Sequence, residues 1–248
     1  MARQQTLAQS IEFTGFGLHS GAPVRMALLP AAANAGIQFI RTDVMGADQI
    51  VPATWDSVVP SRLCTLVANG DGVSVSTIEH VMAALAGCAI QNAIIEIDGP
   101  EVPILDGSAA PFVAAILEAG ITQQVAPLRA IVVKKPIELR EGDAFVRLSP
   151  ADMLEIDFEI DFADAAIGRQ ALALNMANGT FVRELSDSRT FCRNSDVIAM
   201  RARGISPRCT PTPGNLPKIC CSTSAHSHAD GSANSARNRA LVIAWPAR

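Results

Sequence analysis

The sequence predicts an α+β protein made of two successive β-rich halves, and three observations carry that prediction. Strand-like runs interrupted by two helix-like runs fill the first part of the chain. The same kind of pattern restarts near residue 129, after a "VAPL" link at 125–128. The composition then breaks abruptly after Gly204. With 248 residues, 49% of them apolar and no tyrosine, a sizeable core is affordable, but Val, Ile, Leu and Ala must fill most of it.

In chain order, "QSIEFTGFGLHSG" and "PVRMALLPA" read as two strands joined through a glycine-containing turn, followed by "GIQFIRTD" and later "NAIIEIDG". One helix is predicted over residues 77 to about 88. A second begins at Ser108 in "SAAPFVAAILEAG" and stops at Gly120, which suits a helix C-terminus. After the link come "RAIVVKKPIEL", "AFVRLSP" and "MLEIDFEIDF", the last alternating acidic and apolar residues as a strand with one solvated face does. A final helix is expected near "NSDVIAMRARG". The domain boundaries read as 1–126, 127–204 and a tail, 205–248.

That tail holds one acidic residue, Asp230, against five basic ones, while everything before it carries a local charge of −8. Its Pro, Ser, Asn and Gly content favours coil, and its one apolar patch is "ALVIAWP". The preceding helix stops in mid-pattern, so the preferred reading is a shift of coding frame, with a natural disordered tail as the alternative. The overall charge of −4 argues against a nucleic-acid binder. No apolar run reaches the roughly 18 residues of a membrane span, and the N-terminus has no signal core. A soluble, cytoplasmic monomer is the expectation. The six cysteines (64, 88, 192, 209, 220 and 221) follow no metal-ligand spacing and read as free thiols.

Chemistry concentrates in "STIEHVMAALAG" (76–87). Ser76 followed by Glu79 has the spacing of a capping box, in which the Glu79 carboxylate would bond the Ser76 N–H. Adjacent residues on a helix point about 100° apart, so His80 can face a metal while Glu79 faces a water. A catalytic zinc needs three protein ligands; of the other histidines, His19 lies in a glycine-rich turn and His226 and His228 lie in the tail, without structural-zinc spacing.

Six segments in order, "FTGFGLHSG" (13–21), "RTD" (41–43), "SRLCTLV" (61–67), "STIEHVMAALAG", "IDGPEVPILDGSAAPFV" (97–113) and "SDSRTF" (186–191), resemble the UDP-3-O-acyl-N-acetylglucosamine deacetylases, zinc amidases of bacterial lipid A synthesis. The resemblance covers residues 1 to about 204. It implies two similar β-rich domains with helices sandwiched between the sheets, a UDP-sugar substrate bearing an acyl chain, and hydrolysis of its 2-acetamido group. By resemblance His80 is a zinc ligand, Glu79 the general base and Thr190 an oxyanion donor. Leu18, His19, Cys64 and Phe191 match substrate-side positions. Without the resemblance, Thr190 and Phe191 read as a strand end feeding a loop.

The family pattern H-K-x-x-D-x-x-G-D, which supplies two further zinc ligands, is absent from Ile205 onward. An incomplete second domain and impaired turnover are therefore expected. A non-catalytic nucleotide-sugar or acyl-chain binder and a non-functional frameshift product are the alternatives.

Overall fold

The computed structural model describes residues 2–61, 64–162, 168–189, 202 and 237–246. Among these residues it is an α+β structure with fifteen strands and two α-helices. The strands are β1 (Arg3–Leu7), β2 (Ile11–Phe16), β3 (Pro23–Pro30), β4 (Ile37–Arg41), β5 (Ile50–Pro52), β6 (Val58–Val59), β7 (Leu66–Ala68), β8 (Ser74–Ser76), β9 (Ala93–Ile97), β10 (Ile121–Pro127), β11 (Ile137–Glu141), β12 (Ala144–Ala151), β13 (Glu155–Asp161), β14 (Arg169–Asn175) and β15 (Arg237–Pro246). The helices are α1 (Glu79–Gly87) and α2 (Ala110–Ala119).

The chain divides into two compact units, Met1–Leu128 with Glu184–Ser222, and Arg129–Arg183 with Thr223–Arg248. The sequence reading kept 127–204 together, whereas the chain from Glu184 returns to the first unit. An ion pair from Arg189 to Asp106 holds that return.

In the first unit a five-stranded sheet has the order β2-β3-β9-β4-β5. β9 lies at its centre, antiparallel to β3 and parallel to β4. The period of two along a strand decides which residues go inside. Val24, Met26 and Leu28 of β3 and Ala93, Ile95 and Ile97 of β9 are buried, while Arg25 and Glu96 between them are exposed. The two helices pack on each other, burying Val81, Ala84 and Leu85 of α1 and Phe112, Val113 and Ile116 of α2. Phe112 meets Phe13 of β2 edge-on, with ring centroids 4.9 Å apart. α2 stops at Gly120, whose φ of 81° is open to glycine without strain.

Strands β1, β5, β6, β7, β8, β10 and β14 escaped the sequence reading. β1 pairs with β10, so the two ends of the unit close on each other. A buried amide secures that closure: Asn92 Nδ2 donates to Gln4 Oε1 at 2.8 Å and to Gln124 Oε1 at 2.7 Å, while its Oδ1 accepts from the Gly36 N–H. The small sheet β6-β7-β8 delivers the chain to α1.

The second unit holds the sheet β11-β12-β15-β13-β14. Coil was expected throughout 205–248, but Arg237–Pro246 is a strand, parallel to β12 and antiparallel to β13. Its "ALVIAWP" run is rich in the residue types that suit a pleated ladder. Apolar side chains remain open on this unit, among them Ile137, Leu139 and Leu172. No helix among the described residues is long and apolar enough to cross a membrane.

Phe112 is fully buried against an aromatic partner. Phe112→Ala should therefore destabilise the first unit by about 3–5 kcal/mol. Urea denaturation of both proteins measures the difference; a loss near zero would show that α2 does not close this core.

Candidate functional site

The start of α1 is set by contacts from outside the helix. Ser76 ends β8, and its N–H and hydroxyl both donate to the Pro100 carbonyl, at 2.9 and 3.1 Å. Thr77 then takes a left-handed backbone, φ 57°, which a β-branched residue adopts only under strain. That turn delays the helix to Glu79, two residues later than the sequence suggested. The capping box does not form. No side chain caps α1. The Ser76 N–H is committed to Pro100, and the Glu79 carboxylate instead accepts from the Thr65 N–H at 2.5 Å.

Thr77 is held by Glu101, a carboxylate only 3% exposed. Glu101 Oε1 accepts from the His19 N–H at 2.8 Å and from the Thr77 hydroxyl at 3.0 Å, and Oε2 accepts from the Ser20 N–H at 2.8 Å. Among the described residues no cation pairs with it, so its charge is balanced by N–H and O–H dipoles. Burial alone would push this carboxyl upward. The donors at His19, Ser20 and Thr77, with the Ser20 hydroxyl, together outweigh burial and leave it below the ordinary glutamate range. Gly17 makes the approach possible: a β-carbon there would overlap the Glu101 carboxylate and the Ser20 hydroxyl.

A second carboxylate, Asp106, was missed by residue-level reading although its "LDGS" stretch was recognised as family-like. It sits between two left-handed residues, Leu105 at φ 50° and Gly107 at φ 83°. Its Oδ1 accepts from the Ser108 N–H and hydroxyl at 3.0 and 2.8 Å, and its Oδ2 from Arg189 at 3.0 Å. An Asp-Gly dipeptide flanked by serine was the available signal, since it marks a tight turn. Burial lowers the His80 pKa, while the neighbouring Glu79 and Asp106 charges pull it part of the way back. A neutral imidazole results, the form that can offer a lone pair to a metal.

Zinc was expected here. Among the described residues no three His, Cys, Asp or Glu side chains group as a set able to hold a metal ion. His80 alone does not fit a zinc site, which takes three protein ligands.

The other expected site residues are placed unevenly. Leu18 and His19 are half-buried in the loop that Glu101 grips, and the buried His19 Nε2 has no hydrogen-bond partner among the described residues. Cys64 is a free thiol 3.4 Å from the Ser61 hydroxyl and one residue before the Thr65 N–H that holds Glu79. Thr190 and Phe191 lie outside the described residues; Arg189 directly before them is anchored on Asp106. Glu79 also lines a pocket of about 240 Å³, whose other walls include Trp55, Val58, Val67, Ile78 and Met82.

Fold and site together define an α+β protein whose first unit presents an adjacent carboxylate and neutral imidazole at a helix start, beside an apolar pocket. The chain belongs to the UDP-3-O-acyl N-acetylglycosamine deacetylase family, whose family model matches residues 4–210. It is 47% identical over 203 residues to a UDP-3-O-acyl-N-acetylglucosamine deacetylase of Anaeromyxobacter sp. (strain Fw109-5), covering 82% of this chain and 66% of that protein. Proteins of the same name from Phenylobacterium zucineum (strain HLK1) and Histophilus somni (strain 129Pt) are 46% and 43% identical, covering 82% and 83% of this chain and 69% and 68% of theirs. The chain thus spans about two thirds of the length of these relatives.

The Glu101 contacts make stability pH-dependent in a defined direction. Its folded-state pKa is depressed, so its contribution is fully present above the ordinary value of 4.5 and is lost as pH falls through the lower folded value. At neutral pH, Glu101→Gln should cost about 1–3 kcal/mol, and the gap to wild type should shrink as the pH drops below 4.5. Urea titrations across pH test this; a pH-independent gap would contradict it.

Proposed function

We propose that this chain recognises UDP-3-O-acyl-N-acetylglucosamine and that the Glu79–His80 pair is the acid–base part of a site for hydrolysing its 2-acetamido group, in lipid A synthesis. The observation that carries the reading is the Glu79 carboxylate at the wall of an apolar pocket, with His80 beside it. One Glu79 oxygen is held by the Thr65 N–H. The other accepts no hydrogen bond among the described residues and is free to take a proton. As water attacks the acetamido carbonyl, its proton passes to Glu79 and a C–O bond forms. The C–N bond then breaks, the proton goes to the amine nitrogen, and acetate leaves.

His19 contributes its unpartnered Nε2 to the sugar side, with Leu18 and Cys64 flanking the substrate path. Thr190 donates to the developing oxyanion and Phe191 packs on substrate. His80 is the zinc-directed residue. The chain from Ile205 onward lacks the H-K-x-x-D-x-x-G-D pattern that would supply two further ligands, so turnover is expected to be impaired. That same observation favours a second reading, a nucleotide-sugar binder without turnover.

Two measurements separate these readings. Elemental analysis after dialysis should find zinc well below stoichiometric; a full complement, lost in His80→Ala, would show that other residues complete the set. Calorimetric titration with the substrate should show binding, and any acetate release should fall at least about 100-fold in Glu79→Gln with affinity unchanged. Binding without release would establish the binder, and no binding would sink both readings.

A further inference from the structure

We propose that Glu101 is a positioning residue: through one buried carboxylate it locks the Gly17–Ala22 loop that carries His19 to Thr77, two residues before α1, so that His19 and the Glu79–His80 pair are held in a set relation. This rests on the functional reading above for what the two sides do, but the lock itself is a property of the chain.

The geometry converges on a single atom. Oε1 of Glu101 takes the His19 N–H at 2.8 Å and the Thr77 hydroxyl at 3.0 Å, joining positions 82 and 24 residues away along the chain. The second oxygen takes the Ser20 N–H at 2.8 Å. The backbone on either side of Glu101 is bonded to Ser76: the Ser76 N–H donates to Pro100 O at 2.9 Å, and the Val102 N–H to Ser76 O at 3.1 Å. The carboxylate therefore has little freedom to follow one partner and release another. The His19 loop is tied down independently at its ends, by Gly17 N–H to Ala22 O at 3.0 Å and Gly21 N–H to Gly17 O at 3.1 Å. Glu101 is what fixes the loop's direction.

A glutamine at 101 would be nearly the same shape, but its NH2 group has no acceptor capacity and would face an N–H donor. Thr77 holds a left-handed backbone that its own side chain disfavours, and such strain persists only where surrounding contacts over-determine it. The Glu101 contact is one of those contacts, so the register of Glu79 and His80 depends on it. Glu101 acts through Thr77 and through the backbone at His19 and Ser20.

The test uses the full chain with amide hydrogen exchange and substrate titration. In Glu101→Gln, exchange at His19 and Ser20 should be at least about tenfold faster, while amides of the central strand β9 keep their protection. Affinity for UDP-3-O-acyl-N-acetylglucosamine should fall at least about tenfold, since the loop must be ordered on binding. Thr77→Val keeps the shape and removes only the hydroxyl; it should shift the amide resonances of Glu79 and His80 with His19 and Ser20 still protected, and it decides the matter if the first variant does not fold. Unchanged exchange at His19 and Ser20 in Glu101→Gln, or freed exchange with unchanged affinity, would overturn the proposal. So would silence at Glu79 and His80 in Thr77→Val. If the wild-type chain binds no substrate, the functional reading falls, while the exchange data still decide whether the lock exists.

Discussion

A buried carboxylate held only by dipoles organises the first unit around its site. Glu101 has lost nearly all its water and, among the described residues, gained no cation, so the N–H and O–H groups at His19, Ser20 and Thr77 supply what solvation did. Each donor is thereby placed. The loop with His19 is bonded to the carboxylate through two backbone N–H groups, Thr77 keeps its left-handed backbone with its hydroxyl on the same carboxylate, and α1 begins two residues later. Gly17 is part of the same constraint, because no side chain fits beside the carboxylate there.

The charges around His80 come from Glu79 and Asp106. Glu79, exposed and gripped by the Thr65 N–H, and Asp106, fixed by Ser108 and Arg189, both act on an imidazole that burial keeps neutral. The result is an environment of mixed sign: Arg189 partly offsets Asp106, leaving Glu79 as the carboxylate with an uncommitted oxygen. A proton acceptor next to a lone-pair donor suits hydrolytic chemistry. Its completion by a metal asks for ligands that the described residues do not group together.

The two units divide the work unequally. Among the described residues, the first contains both α-helices, every buried apolar side chain except Val133, and every candidate residue. The second is a sheet whose central position is taken by β15, from the compositionally distinct end of the chain. Its exposed Ile137, Leu139 and Leu172 contrast with the first unit, where β3 and β9 bury every second residue.

What the sequence determined by itself is what depends on near neighbours. Strand-like runs placed β3 and β9, alternation placed β13, the apolar run with a terminal glycine placed α2, and the ordered family segments pointed to Glu79 and His80. What only the tertiary structure decided is what depends on distant partners. "STIE" has the local form of a capping box, yet Ser76 is bonded to Pro100, and Glu79 turns to Thr65. Glu101 and Asp106 sit in a stretch recognised as family-like, but nothing local says that one grips His19, 82 residues away, or that the other grips Arg189, 83 residues away. Periodicity is a property of consecutive residues, and it reports which face is buried. A buried charge must find its donors wherever the fold brings them, and that choice is made only when the chain has closed.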